Sequence, residues 1–169
     1  MQTLLSKLSV AVAVVATSFS VVAGTLENAP FKISLPSDDW KLADSTAQEV
    51  GPGTFWLATI TKTNSSLKSM MIKTVMDKSD GSPDEFFAGI RDSLANPAVK
   101  TLSDEATTFL GYKARRFTYE LTVQNKQTTY NETVVFVAGK TGWAINAMGL
   151  VGQESEVHKI FTFYQKRAH

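Results

Sequence analysis

YKARRFTYELTVQNKQTTYNETVVFVAGKTGWAINAMGL, residues 112–150, breaks into three runs separated by two polar turns. In the first run Phe117, Tyr119, Leu121 and Val123 alternate with Arg116, Thr118, Glu120 and Thr122, the period of a half-buried strand. Gln124-Asn125-Lys126 and Gly139-Lys140-Thr141-Gly142 are short turns, so strands over 112–123, 127–138 and 143–150 follow one another as an antiparallel meander. Upstream, Lys100 to Phe109 is rich in Thr and polar residues and reads as an edge or partly exposed strand.

Before that strand lies the clearest helix signal. Ser82 is a cap, Pro83 suits the first turn, and Glu85 completes a capping box. Phe86, Phe87, Ile90 and Leu94 fall on one face, and Asn96-Pro97 ends the helix. Phe31 to Leu35 alternates as a strand that Pro36 stops, with Ser37 to Trp40 a turn returning an aromatic to the core. Thr54–Lys62 and Leu67–Met76 form a predicted hairpin across Thr63–Ser66, followed by a loop at 77–81. Gln153 to Arg167 carries Val157, Ile160, Phe161 and Tyr164 at helical spacing and predicts a closing helix. The order is that of an α+β protein, a central antiparallel sheet covered by two amphipathic helices.

The chain has 169 residues, 17 Lys plus Arg against 16 Asp plus Glu, and no Cys. The near-neutral balance argues against a general nucleic-acid binder. The lack of Cys excludes disulfides, thiolate metal sites, a Cys nucleophile and a lipidated N-terminal Cys. Lys7 precedes an Ala/Val-rich run from Leu8 to Val22, and the small residues Ala23 and Gly24 follow. These are the parts of a secretory signal peptide over 1–24, cut after Ala23 or Gly24. Residues 25–169 then form a single domain, soluble in a bacterial periplasm or secreted, with no membrane span.

Candidate chemistry is scarce. Gly139-Lys140-Thr141 lacks the earlier glycine of a phosphate loop, since Val134 stands there, and a strand follows instead of a helix. His158 and the terminal His169 are the only histidines, and no G-x-S-x-G elbow is present. The acids Asp77, Asp80, Asp84 and Glu85 depart from the spacing of a calcium loop. The sequons at Asn64 and Asn131 read as chance patterns. Lys113 and Arg115 share one face of a strand and Arg116 looks the other way, so a basic patch of three does not result. Arg115 or Arg116 is a candidate holder of an acidic partner.

Phe31-Lys32-Ile33-Ser34-Leu35-Pro36 followed by Trp40 resembles the opening strand of the PsbP/Mog/DcrB-like family. The Pro83–Phe86 helix start, the Gly111–Tyr119 strand, the strands at 130–138 and 143–148, and Phe161–Tyr164 agree in order with that family. The resemblance spans Ala29 to Lys166 and implies an α/β/α sandwich on an antiparallel sheet. It implies no shared catalytic site, and a fold does not fix a function. The chain reads as an exported member without the lipidated Cys of the DcrB-like lipoproteins. The expected function is non-catalytic: an accessory protein binding an envelope protein or component, with no metal or cofactor. The alternative is a small-ligand carrier with a pocket between sheet and helix lined by Trp40, Tyr112 and Trp143.

Overall fold

A computed structural model describes residues 26, 28–76, 82–124 and 126–167, with backbone only over 44–47. The expected leader at 1–24, the loop at 77–81 with Asp77 and Asp80, and His169 lie outside the described residues. The elements are β1 (Phe31–Ile33), β2 (Trp40–Gly51), β3 (Thr54–Lys62), β4 (Lys68–Val75), α1 (Pro83–Leu94), β5 (Val99–Phe109), β6 (Tyr112–Val123), β7 (Gln127–Ala138), β8 (Thr141–Leu150), α2 (Glu154–Ile160), a 3-10 turn (Phe161–Phe163) and β9 (Tyr164–Lys166).

Seven strands form one antiparallel sheet in the order β2-β3-β4-β8-β7-β6-β5. Two meanders, β2 to β4 and β5 to β8, are joined through α1 and meet where β4 pairs with β8. The meander expected at 112–150 is present, and β5 is an edge strand. Leu110 and Gly111 both take positive φ, 54° and 84°, the twist a tight β5–β6 hairpin needs.

Helix α1 forms as its signals indicate, with the Glu85 amide donating to Ser82 Oγ at 3.2 Å. Its Phe87, Ile90 and Leu94 bury against Trp56, Ile72, Phe117, Tyr119, Val135 and Ala144. Ion pairs hold it toward β5 and β6: Asp84 with Lys113 at 2.9 Å, and Arg91 with Asp104 at 2.7 Å. The opposite face carries the larger cluster, with Phe31, Trp40, Ile60, Met71, Phe136, Trp143 and Ile145 under Val157, Ile160, Phe161, Phe163 and Tyr164.

Two expectations need correction, and one strand is additional to them. The turn at Ser37–Trp40 returns Trp40 to the core as expected, with the Trp40 amide donating to the Ser37 carbonyl, and an unforeseen strand runs on from it to Gly51. Its apolar residues are sparse and Lys41–Ala43, Gln48 and Glu49 are exposed, as on a sheet edge, where alternation is weak. The closing helix over 153–167 ends at Ile160; Tyr164–Lys166 is extended and pairs with Phe31–Ile33. Extension lets Tyr164 meet Phe31 edge-on at 5.5 Å and share a 2.8 Å hydrogen bond with Ser69. The second face is therefore covered by a short helix plus the β1–β9 ribbon, rather than by a second long helix.

Gly142 lies under α1, and a Cβ there would stand 2.7 Å from the Phe86 ring. Gly142→Ala is expected to cost about 1–3 kcal/mol by overpacking, read as a lower urea midpoint at unchanged m-value.

Candidate functional site

Four of the five residues singled out from the sequence lie in the cluster beneath α2 and the β1–β9 ribbon. Trp40 meets Phe163 edge-on at 4.8 Å, Trp143 meets Phe31 at 5.2 Å, and Tyr112 stacks on Phe136 at 5.4 Å. Arg116 lies 3.0 Å from Glu132 Oε1 and over the Phe161 ring. Arg115 is on the α1 face, bonded to Asp104. The structure thus separates Arg115 from the other four and commits both arginines to carboxylates of the chain itself.

Glu132 is only 2% exposed and accepts from His158 Nδ1 at 3.0 and 3.2 Å, so the buried carboxylate has a cation on one side and an imidazole on the other. No hydroxyl among the described residues is hydrogen-bonded to His158, and no three metal-ligating side chains gather among them. Burial works against the Asp104 carboxylate, but hydrogen bonds and charge from Arg115 and Arg91 outweigh it and hold its pKa below the usual value.

The α1 face holds an arrangement the sequence reading did not identify. Cross-strand partners share a face, so register lays out two rows beside the cluster under α1. One row runs Thr59–Met70–Asn146–Thr133 across β3, β4, β8 and β7. The next runs Thr61–Lys68–Met148–Asn131 across the same strands. Met70 and Met148 are buried but are not members of the α1 cluster. Each row holds three polar side chains and one methionine.

The hydrogen bonding here is half complete. Asn146 Nδ2 donates to Tyr119 OH at 3.1 Å and to Thr133 Oγ1 at 2.9 Å, while Asn131 Nδ2 donates to Thr129 Oγ1 at 2.9 Å. These bonds fix both amides with their oxygens turned the other way. Asn131 Oδ1, Asn146 Oδ1 and Thr59 Oγ1 are buried without a hydrogen-bond partner, in side chains 1%, 5% and 5% exposed. An unmade hydrogen bond of this kind costs about 1–3 kcal/mol. Lys68 stands at the half-buried rim, and no carboxylate among the described residues is at ion-pair distance from it. Burial lowers its pKa. The site can therefore accept at two fixed amide oxygens, exchange with one hydroxyl, and offer an ammonium, between two adaptable thioethers.

A sequence signal for this site existed: Asn146 interrupts an otherwise small and apolar β8, between Ile145 and Ala147. Asn131 drew notice only as a sequon, and its burial removes it from glycosylation.

No known family's sequence pattern matches the chain, and no curated protein matches it. Among solved structures it is similar to LpqN of Mycobacterium tuberculosis, a protein involved in cell envelope biogenesis, at 18% identity and a TM-score of 0.56 over 79% of this chain and 78% of that one. It is also similar to the cyanobacterial PsbP protein (CyanoP) of Synechocystis sp. PCC 6803, at 10% identity and a TM-score of 0.58 over 82% and 87%. The fold is PsbP-like, α+β on an antiparallel sheet. Among the described residues no helix is long and apolar enough to cross a membrane.

Tyr119, which anchors Asn146, is fully buried, and burial raises its pKa to about 12 against a weaker opposing effect of the Thr133 hydrogen bond. A group raised in the fold contributes stability that is complete below its unfolded value near 10 and is lost as pH rises toward about 12. Ultraviolet titration is expected to show a late phenolate component that Tyr119→Phe removes, and the variant is expected to lose less stability than the wild type across that window.

Proposed function

We infer that the chain is a non-catalytic accessory protein of the bacterial envelope, exported by its leader and binding another envelope protein or component. The observation that carries this reading is the group of buried, unpartnered acceptors at Thr59, Asn131 and Asn146 beside Lys68. A fold gains nothing in stability from such atoms, whereas an arriving ligand that donates to them removes their cost. The site offers fixed hydrogen-bond partners and no nucleophile with a positioned base, which favours binding over turnover.

The leader pattern at 1–24 supports export, with residues 25–169 as the mature, single PsbP-like domain. The lack of Cys favours a form without a lipid anchor, periplasmic or secreted. The likeness to LpqN, described as involved in cell envelope biogenesis, supports an envelope setting.

The test is capture from crosslinked envelopes with the full chain, tagged at its C-terminus, alongside Asn146→Leu and Lys68→Met. The purified protein is expected to begin after Ala23 or Gly24. A specific envelope component is expected with the wild type and depleted with both variants, provided each variant unfolds cooperatively. Equal recovery with all three proteins overturns the assignment of binding to this face, and a retained leader overturns cleaved export.

A further inference from the structure

We propose that the outer edge of β5 pairs antiparallel with the same edge of a second copy of this chain, about a two-fold axis between Leu102 and Ser103. β5 ends the sheet order, so no strand lies along its outer side among the described residues. Lys100, Thr101, Leu102, Glu105 and Ala106 are exposed on it. Leu102 is 45% exposed, a large apolar side chain on a strand edge. An open edge of eleven residues is a template for another strand.

Pairing with β6 sets the direction of the backbone groups. The Ala98 carbonyl accepts from the Thr122 amide at 3.0 Å, and inward and outward residues alternate along an antiparallel strand. Lys100 therefore turns its peptide groups toward β6, while Val99 and Thr101 turn theirs outward. Leu102 is the extra residue of a bulge, since Thr101 stands opposite Tyr119 and Ser103 opposite Thr118. Beyond the bulge, Asp104 and Ala106 turn outward. The inserted residue thus leaves the outward groups of Val99, Thr101, Asp104 and Ala106 in an even row.

About the two-fold axis, Val99 meets Ala106 of the second copy and Thr101 meets its Asp104, each pair able to exchange backbone hydrogen bonds. Between them Lys100 meets Glu105 of the second copy in a non-hydrogen-bonded pair, where side chains come closest. The faces agree. Lys100 bonds Glu120 and Glu105 stands opposite Arg116, both on the α2 face, whereas Thr101 and Asp104 stand opposite Tyr119 and Phe117 on the α1 face. In a strand without the bulge Lys100 and Glu105 point to opposite faces, so the register depends on Leu102. Glu105 has no ion pair among the described residues, and Lys100 holds Glu120 at 3.3 Å with 71% of its side chain exposed. Both charges can therefore take a partner across the axis, twice over by symmetry. A slip of two residues sets Lys100 opposite Ser103 or Thr107 and loses both ion pairs. The two Leu102 side chains come together near the axis. A sheet continued in this way sets the α1 faces of both copies on one side.

The experiment is sedimentation equilibrium of the mature protein at low salt. The wild type is expected to form a concentration-dependent dimer. Lys100→Glu and Glu105→Lys each set like charges across the axis, and each is expected to weaken dimerisation at least about tenfold. Combined, they restore opposite pairs with the signs exchanged and are expected to recover the dimer. Recovery reads the contact between copies, because Lys100→Glu still opposes Glu120 within its own chain. The chain has no Cys, which allows a second measurement: Leu102→Cys is expected to link two copies through a disulfide under copper phenanthroline in air, and Val75→Cys, exposed on β4, is not. A monomer at every concentration up to about 1 mM overturns the proposal. So does a dimer indifferent to both charge reversals, a species larger than a dimer, or equal linking of the two cysteine variants.

Discussion

Every strand in the middle of this sheet is covered on both faces, and the rest of the molecule follows from that constraint. β7 is buried throughout Tyr130–Phe136 and β8 throughout Gly142–Gly149. Their backbone groups are satisfied laterally by β6 and β4. Their side chains must be satisfied from above and below, by α1 on one side and by α2 with the β1–β9 ribbon on the other. Where a polar side chain stands on such a strand, water cannot supply its missing partner cheaply, so each one needs a partner within the protein or one brought by a ligand.

The two faces meet that demand differently. Beneath α2, the polar groups are gathered into ion pairs and hydrogen bonds with one another, although Arg116 Nε makes its contact with Glu132 as an ion pair without a hydrogen bond. Glu132 takes His158 and lies beside Arg116, and Ser69 pairs with Tyr164. On the α1 face the helix covers one part of the sheet with a dense apolar contact, and its ion pairs draw it toward β5 and β6. The neighbouring rows on β3, β4, β8 and β7 retain acceptors without donors. Among the described residues the buried oxygens without a hydrogen-bond partner, at Thr59, Asn131 and Asn146, all lie on this face. This localisation is why a binding role attaches to that surface rather than to the aromatic cluster behind the sheet.

Much of the fold was legible along the chain. The alternation in Tyr112–Val123 placed Phe117 and Tyr119 on one face and Arg116 on the other, and the structure has them so. Ser82, Pro83 and Glu85 marked the start of α1 through local hydrogen bonding. Where reading failed, the deciding contacts were distant. β2 is an edge strand whose polar residues look like loop until β3 pairs with it. Tyr164 fits a helical stripe as well as a strand, and only pairing with Phe31–Ile33, more than a hundred residues earlier, favours extension. Trp40, Tyr112 and Trp143 suggested a lined pocket by their chemistry, and their placement depended on rings from elsewhere, Phe163, Phe136 and Phe31.

By itself the sequence determined the antiparallel meander over 112–150, the capped helix and the alternation of faces along Tyr112–Val123, because these depend on period and on neighbours a few residues away. Tertiary structure alone decided which strands lie side by side and which polar groups find partners. Thr59, Lys68, Asn131 and Asn146 are separated along the chain and meet only because β4 pairs with β8 between two meanders. The candidate site is a property of that pairing, and no local pattern encodes it.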